Sequence, residues 1–208
     1  MSEVIRLSLD TEFNELAPSK EPMSFEFISI GLKNIDNEED GYYAVSSEFD
    51  EKKSAKSNKF VASHVLPKLY LEHDKEEVQQ DLKSIRIGVS RYLMQSAVNF
   101  RGAKKMELWA KNGSYDNVAI CRLLGGMQQF RGTVTMFNMD VKFRDLNELT
   151  MPKNPATPKP AGDETRLHNA FYDACHQAEI IRWVEANERP RCSETATMNA
   201  AVKKGLAL

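Results

Sequence analysis

The chain has 208 residues, of which 41% are hydrophobic and 28% are charged, and its formal net charge is −2. This length and composition suit one α/β domain with a substantial core, and the charge excludes a uniformly basic nucleic-acid coat. No apolar run approaches the roughly 18 residues of a membrane-spanning helix. The charged residues Glu3 and Arg6 interrupt the apolar stretch that a secretory signal would need at the start of the sequence. The three cysteines form no CxxC pair. We therefore expect a cytoplasmic protein that binds no membrane.

The first part of the chain predicts three strands. Apolar and polar residues alternate over 4–12, which indicates a strand with Ile5 and Leu7 on one face. Further strands are predicted over 25–32 and 42–46. The acidic loop between these two strands is short, so we expect an antiparallel meander.

Helices and strands alternate in the remainder of the chain. Helices are predicted over 58–66, 75–97, 118–124, 141–149 and 169–188, and strands over 106–110 and 133–139. The proline-rich stretch 151–160 predicts a loop. These elements indicate one domain over residues 1–188, in which helices cover both faces of a mixed sheet. Residues 189–208 form a polar tail, which we expect to be partly mobile.

An acidic pair ends the first predicted strand. Residues i and i+2 of a strand point to the same side, so Asp10 and Glu12 would converge about 7 Å apart. Two such carboxylates repel each other unless a cation lies between them, and Mg²⁺ or Mn²⁺ suits oxygen ligands. The alternative is the solvated face of an edge strand with Arg6 nearby.

Two later positions carry further candidate residues. Asp116 follows a small polar turn between a predicted strand and a helix, where open α/β sheets place ligands, although it would also serve as a helix N-cap. His168 and Asp173 are five residues apart, or about 140° on a helix, so they cannot share a helix face. Both reach one site only if His168 precedes the last helix. A salt bridge at the helix rim is the alternative for Asp173.

The order of these residues resembles the DEDDh 3′–5′ exonucleases, a superfamily with a ribonuclease H-like fold. Within it, the chain is similar to the stand-alone exoribonuclease branch of bacteria and phages related to ribonuclease T. The similar segments are 9–13, 27–31, 42–50, 64–69, 107–110 and 113–119. The resemblance covers about residues 5–184 and implies a mixed five-stranded sheet whose first three strands are antiparallel. Asn169 lies four residues before Asp173, so the tyrosine variant of the superfamily does not fit.

This resemblance implies two-metal hydrolysis with Mg²⁺ or Mn²⁺. It implies that Asp10, Glu12 and Asp173 hold the first cation, and that Asp10 holds the second together with Asp116, which binds it directly or through water. It also implies that His168 takes the proton from the attacking water.

The resemblance further implies how the substrate is bound. The expected substrate is single-stranded RNA or RNA with a 3′ overhang, and a homodimer is compatible with the family. Phe13 would stack on the terminal base, with a core phenylalanine as the alternative. Glu12 and backbone N–H groups would contact the ribose. The other residues expected at the pocket are Thr11, Tyr115 and Asn117, with a buried tyrosine as the alternative for Tyr115. Two other functions stay open, a DNA-preferring exonuclease and a non-catalytic nucleic-acid-binding module.

Overall fold

The computed structural model describes residues 4–15, 25–100, 102–135, 139–149 and 161–187, with only the backbone for 131 and 133–135. Six strands form one sheet: β1 (Val4–Glu15), β2 (Phe25–Asn34), β3 (Gly41–Ser46), β4 (Gln79–Gln80), β5 (Lys105–Ala110) and β6 (Asp140–Asp145). The α-helices are α1 (Glu51–Ser57), α2 (Lys75–Val78), α3 (Leu82–Asn99), α4 (Ser114–Leu123), α5 (Met127–Thr135) and α6 (Ala170–Asn187). A π-helical turn covers Val61–Val65, and 3₁₀ turns cover Leu66–Lys68 and Leu146–Glu148.

The sheet is mixed, with the strand order β4-β3-β2-β1-β5-β6. Strand β2 pairs antiparallel with β1 and β3, whereas β5 pairs parallel with β1 and β6, and β4 pairs parallel with β3. The predicted fold class is confirmed, because this architecture is compatible with a ribonuclease H-like fold. The sixth strand, which the sequence did not predict, is the two-residue β4.

Helices cover both faces of the sheet. On one face, Leu7 and Leu9 of β1 belong to a buried cluster with Ile85 of α3, Ile120 of α4 and Phe130 of α5. On the other face, two buried clusters join the sheet to the π-helical turn and to α6. The residues that these two elements contribute are Val61, Val65, Ala170, Ala178, Ile180, Ile181 and Val184. The central strand β1 is therefore buried on both sides, and its carboxyl end lies between α4 and α6.

Gly31 allows α6 to lie directly on the sheet. A Cβ atom at this position would lie 2.2 Å from the backbone oxygen of Ala170, in the first turn of α6. Gly31 is paired with Asp10 across the β1–β2 ladder. The first turn of α6 is thereby brought next to the predicted acidic pair.

Several predicted element boundaries are wrong. The predicted strand over 133–139 is wrong because Thr133–Thr135 continue helix α5. Strand β6 instead covers Asp140–Asp145, where a short helix was predicted, and only Leu146–Glu148 are helical there. Alternation of half-buried Val141 and Phe143 with exposed neighbours supports this edge strand.

The predicted helices before the fourth predicted strand also differ. The α-helix predicted over 58–66 lies earlier, at Glu51–Ser57, and is followed by the π-helical turn. The long helix predicted over 75–97 is interrupted by β4, and α3 begins after its N-cap Asp81. The last helix is confirmed at Ala170–Asn187. The predicted loop 151–160 and tail 189–208 lie outside the described residues, and no helix within the described ranges is long and apolar enough to span a bilayer.

Candidate active site

Asp10 and Glu12 occupy the carboxyl end of β1, on the face covered by α6. Both residues are half-buried. The Nε2 atom of Gln177 in α6 donates a hydrogen bond to Oδ1 of Asp10 at 3.0 Å, and the Oε1 atom of Gln177 accepts one from the backbone N–H of Lys111 at 3.1 Å. The pair therefore does not form the solvated face of an edge strand. It lies in the centre of the sheet, beneath a helix.

Asp116 reaches β1 from the opposite face. It is buried, and its Oδ1 atom accepts hydrogen bonds from the backbone N–H of Thr11 at 2.8 Å and from the Thr11 hydroxyl at 2.7 Å. Asp116 is not the N-cap of α4, because Gly113 occupies that position and makes no side-chain cap. The carboxylate of Asp116 thus joins α4 to the strand segment that carries Asp10 and Glu12.

His168 and Asp173 lie on either side of the α6 N-terminus. Asn169 caps this helix, with its Oδ1 atom accepting from the backbone N–H of Tyr172 at 3.0 Å. His168 precedes the cap with a left-handed φ of 72°, and its backbone N–H donates to Oδ2 of Asp173 at 2.8 Å. A non-glycine residue in this backbone region is uncommon and often occurs at functional sites.

These elements bring the predicted residues to one cavity. Ligand atoms of Glu12, His168 and Asp173 lie within 4.8 Å of one another. The cavity has a volume of about 830 Å³, and its lining includes Asp10, Thr11, Glu12, Phe13, Phe60, Lys111, Tyr115, Asp116, His168, Asp173 and Gln177. Four carboxylates and one imidazole from β1, α4, α6 and the loop before α6 therefore face a shared space.

Burial is the largest cause of the raised pKa values of the four carboxylates in this cavity. Burial, followed by the charges of the neighbouring carboxylates, raises the pKa of Asp10 and of Glu12 well above the ordinary range. Burial raises the pKa of Asp116 and of Asp173 to about 6. Four negative charges are thus unfavourable here near neutral pH without a compensating cation, and clustered carboxylate oxygens are the donors that hard divalent cations prefer.

The imidazole of His168 has the opposite tendency. Burial, together with the positive charge of Lys68, lowers the pKa of His168. The ring also packs edge-on against Phe60, with centroids 4.9 Å apart. His168 is therefore neutral near pH 7 and able to accept a proton.

The predicted substrate-binding residues are only partly brought together. The rings of Phe13 and Tyr115 stack with centroids 5.9 Å apart at the cavity wall. Tyr115 is 62% exposed, so the alternative of a buried tyrosine is wrong. Asn117 is not among the residues that line the cavity; its Oδ1 atom instead accepts a hydrogen bond from the Cys121 thiol. The Thr11 hydroxyl donates its hydrogen bond to the Asp116 carboxylate.

Sequence reasoning missed several groups around the site. Gln177 follows Asp173 by four residues, and this helical spacing is a signal that would have found it. Lys68 donates from Nζ to the backbone oxygens of Leu167 at 2.6 Å and Glu164 at 2.9 Å, which ties the 3₁₀ turn to the His168 loop. Phe60 reaches His168 from a separate segment, and nothing in the local sequence indicates that contact.

The fold and the site define an α/β enzyme with a carboxylate-rich cavity at the end of its central strand. No protein-family model matches the chain. Two curated proteins from Mycobacterium tuberculosis strains CDC 1551 and H37Rv, each named a 3′–5′ exoribonuclease, are similar to it. Each is 31% identical over 184 residues, which cover 88% of this chain and 95% of the relative. The chain therefore belongs to this 3′–5′ exoribonuclease family, and it is an exonuclease.

Proposed function

We propose that this exonuclease removes nucleoside 5′-monophosphates from the 3′ end of single-stranded RNA or of a single-stranded RNA overhang, with two divalent cations, Mg²⁺ or Mn²⁺. The observation that carries the proposal is the convergence of four carboxylates and His168 in one cavity. The names of the two mycobacterial relatives support RNA as substrate and the 3′–5′ direction. The same set of residues supports membership of the DEDDh branch related to ribonuclease T.

The carboxylates divide into two overlapping sets of ligands. Asp10, Glu12 and Asp173 would hold one cation, and Asp10 with Asp116 would hold the other. The raised pKa values of all four groups support this assignment, because bound cations would offset the cost of burying these negative charges. The chemistry that cations supply in such a site is a lowered pKa of bound water and stabilisation of the leaving 3′ oxygen.

His168 is the general base of the proposed reaction. Its pKa is lowered by burial and nearby positive charge, so the ring is unprotonated and accepts a proton from the attacking water. The backbone hydrogen bond from His168 to Asp173 fixes the start of the loop against α6. The edge contact with Phe60 orients the ring from the other side.

Aromatic rings at the cavity wall provide the binding surface for the terminal nucleoside. Phe13 is half-buried, and exposed Tyr115 stacks on it, so a base packed against these rings is bound without regard to its identity. Glu12 and backbone N–H groups near Phe13 would contact the ribose hydroxyls. A contact of this kind favours RNA over DNA.

The decisive test is the digestion of 5′-labelled single-stranded RNA with Mg²⁺ or Mn²⁺. We expect a ladder that shortens from the 3′ end, no product in EDTA, and a loss of at least about a thousandfold in rate for Asp10→Asn. Glu76→Gln is the matched control, because this exposed acid in α2 lies outside the cavity lining. Circular dichroism would establish that both variants are folded.

Other results of the same digestion would contradict the proposal. Full activity of Asp10→Asn would remove the carboxylate cluster from the mechanism. Faster cleavage of a matched single-stranded DNA would identify a DNA-preferring exonuclease. RNA that is bound but never shortened with either metal would identify a binding module.

A further inference from the structure

A second groove adjoins the candidate active site on the other face of the sheet. It has a volume of about 550 Å³, and it lies between β2, α3 and α4. Three exposed, positively charged residues are among those that line it. Lys83 and Arg86 belong to α3, and Arg122 lies in the last turn of α4. None of these residues belongs to the site described above.

Aromatic rings connect this groove to the cavity. The ring of Phe25, which lines the groove, lies 5.3 Å from that of Phe13, which lines the cavity. Phe13 in turn stacks on Tyr115. Tyr115 and Arg122 are seven residues apart in α4, so they lie on the same helix face about 10 Å apart along its axis. A path of contacting side chains therefore leads from the cavity to the groove.

Cations lie beside the aromatic ring at the groove end of this path. The guanidinium carbon of Arg122 lies 4.8 Å from the ring centroid of Phe25. The Nε atom of Arg86 donates to the backbone oxygen of Leu123 at 2.8 Å, which holds its guanidinium at the groove. Stacking platforms next to positive charges are typical of surfaces that bind single-stranded nucleic acid without sequence preference.

Two acidic residues are also among the described residues that line the groove, but hydrogen bonds within the protein engage both. Glu26 accepts from the backbone N–H of Asp50 at 3.0 Å and from the Ser54 hydroxyl at 2.7 Å. Glu48 accepts from the backbone N–H of Leu82 at 2.8 Å. Among the lining residues that the structure describes, Lys83, Arg86 and Arg122 are positively charged, and positive side chains complement phosphate.

We infer that this groove binds the RNA strand upstream of the nucleotide being removed, with Lys83 and Arg122 contacting its phosphates. The inference rests on the proposed function, since the strand is placed by its 3′ end in the cavity. It deepens that function, because the groove makes the enzyme favour long single strands over dinucleotides. A dinucleotide has its only phosphodiester in the cavity and cannot reach Lys83 or Arg122.

The test compares two RNAs, a dinucleotide and a single-stranded decamer, with the double variant Lys83→Gln/Arg122→Gln. We expect kcat/KM on the decamer to fall about fivefold, the effect of two exposed charge contacts, and kcat/KM on the dinucleotide to stay at the parental value. Arg91→Gln/Lys105→Gln is the control, because it removes two exposed cations that do not line the groove and should affect neither RNA.

A second measurement separates this inference from the proposed function. Fluorescence anisotropy in EDTA follows binding of the labelled decamer as salt increases, and it requires no cleavage. We expect the slope of log affinity against log salt to be smaller by about 1.4 in the double variant, or about 0.7 for each lost phosphate contact. Failure of the parent to cleave either RNA would contradict the proposed function. The anisotropy result would then still show whether the groove binds RNA. An unchanged slope in the double variant, or equal losses of kcat/KM on both RNAs, would overturn the inference that the groove binds RNA.

Discussion

Gln177 is an uncharged residue that fixes the orientation of the Asp10 carboxylate through a hydrogen bond. It is 4% exposed, and its amide bridges the Asp10 carboxylate and the Lys111 backbone N–H. Gln177→Leu keeps a side chain of similar size but leaves both partners without this contact. We expect kcat to fall about 10- to 100-fold, with little change in KM, because we propose Asp10 as a metal ligand and losses of this size follow when such a ligand is badly oriented.

The readout that distinguishes positioning from general destabilisation is the metal dependence. We expect Gln177→Leu to need a higher Mg²⁺ or Mn²⁺ concentration for half-maximal activity, because Asp10 is less well oriented. Gln95→Leu on the exposed side of α3 is the matched control and should leave both quantities unchanged. A variant with lower stability but an unaltered metal titration would show that Gln177 has only a structural role.

Spacing within one element predicts which side chains share a face, but it does not predict their partners in other elements. The alternation in β1 was sufficient to place Asp10 and Glu12 together. The bond between Gln177 and Asp10 joins residues 167 positions apart, so local periodicity contains no signal for it. Asn117 shows the same limit, because the resemblance implied a pocket residue, whereas its side chain contacts Cys121.

Gly31 controls the position of a whole helix. In Gly31→Ala the new Cβ would meet backbone atoms of Ala170 and Phe171 at 2.2 to 2.6 Å, and backbone atoms cannot move aside independently of the helix. We expect α6 to shift and to carry Asp173 away from Asp10. The free energy of unfolding should fall by about 1–3 kcal/mol, and activity should fall by more than the loss of folded protein explains.

Chemical denaturation together with activity per folded molecule measures both effects. Gly132→Ala in α5 is the matched control, because a Cβ there would meet nothing within 4 Å. In a helix this control should be neutral or stabilising by about 0.5–1 kcal/mol. Parental stability and activity of Gly31→Ala would show that α6 has room to move without disturbing the site.

The predictions of helices and strands were wrong where contacts with distant parts of the chain override the local secondary-structure propensity. Thr133, Val134 and Thr135 have strand propensity, yet they continue α5, whose Phe130 packs in the core. Gln79 and Gln80 have helical neighbours on both sides, but they pair with Val45 and Ser46 at the sheet edge. Strands β1, β2, β3 and β5 and helix α6 were predictable because their apolar periodicity agrees with their final burial.

At the scale of the whole molecule, we expect the acidic cavity to make stability depend on pH and on metal. Asp116 and Asp173 have folded-state pKa values of about 6, above the value of about 3.9 in an unfolded chain. A carboxyl with a raised folded-state pKa stabilises the fold fully below its unfolded pKa, and this contribution is lost as pH rises through the folded pKa. In EDTA, these groups should therefore weaken the fold progressively from about pH 4 to above pH 6.

The variant Asp10→Asn isolates this effect from the titration of the rest of the chain. In EDTA at pH 7.5 we expect it to unfold at higher temperature than the parent, because one of the mutually repelling carboxylates is gone. The difference should shrink toward pH 5 as the cluster of the parent becomes protonated. Added Mn²⁺ should reverse the order, since cation binding stabilises the parent in proportion to its affinity and the variant lacks a shared ligand. Thermal unfolding of both proteins at three pH values, with and without Mn²⁺, measures each of these differences. If the parent unfolds at a higher temperature than Asp10→Asn in EDTA at pH 7.5, the repulsion on which the metal assignment depends is contradicted.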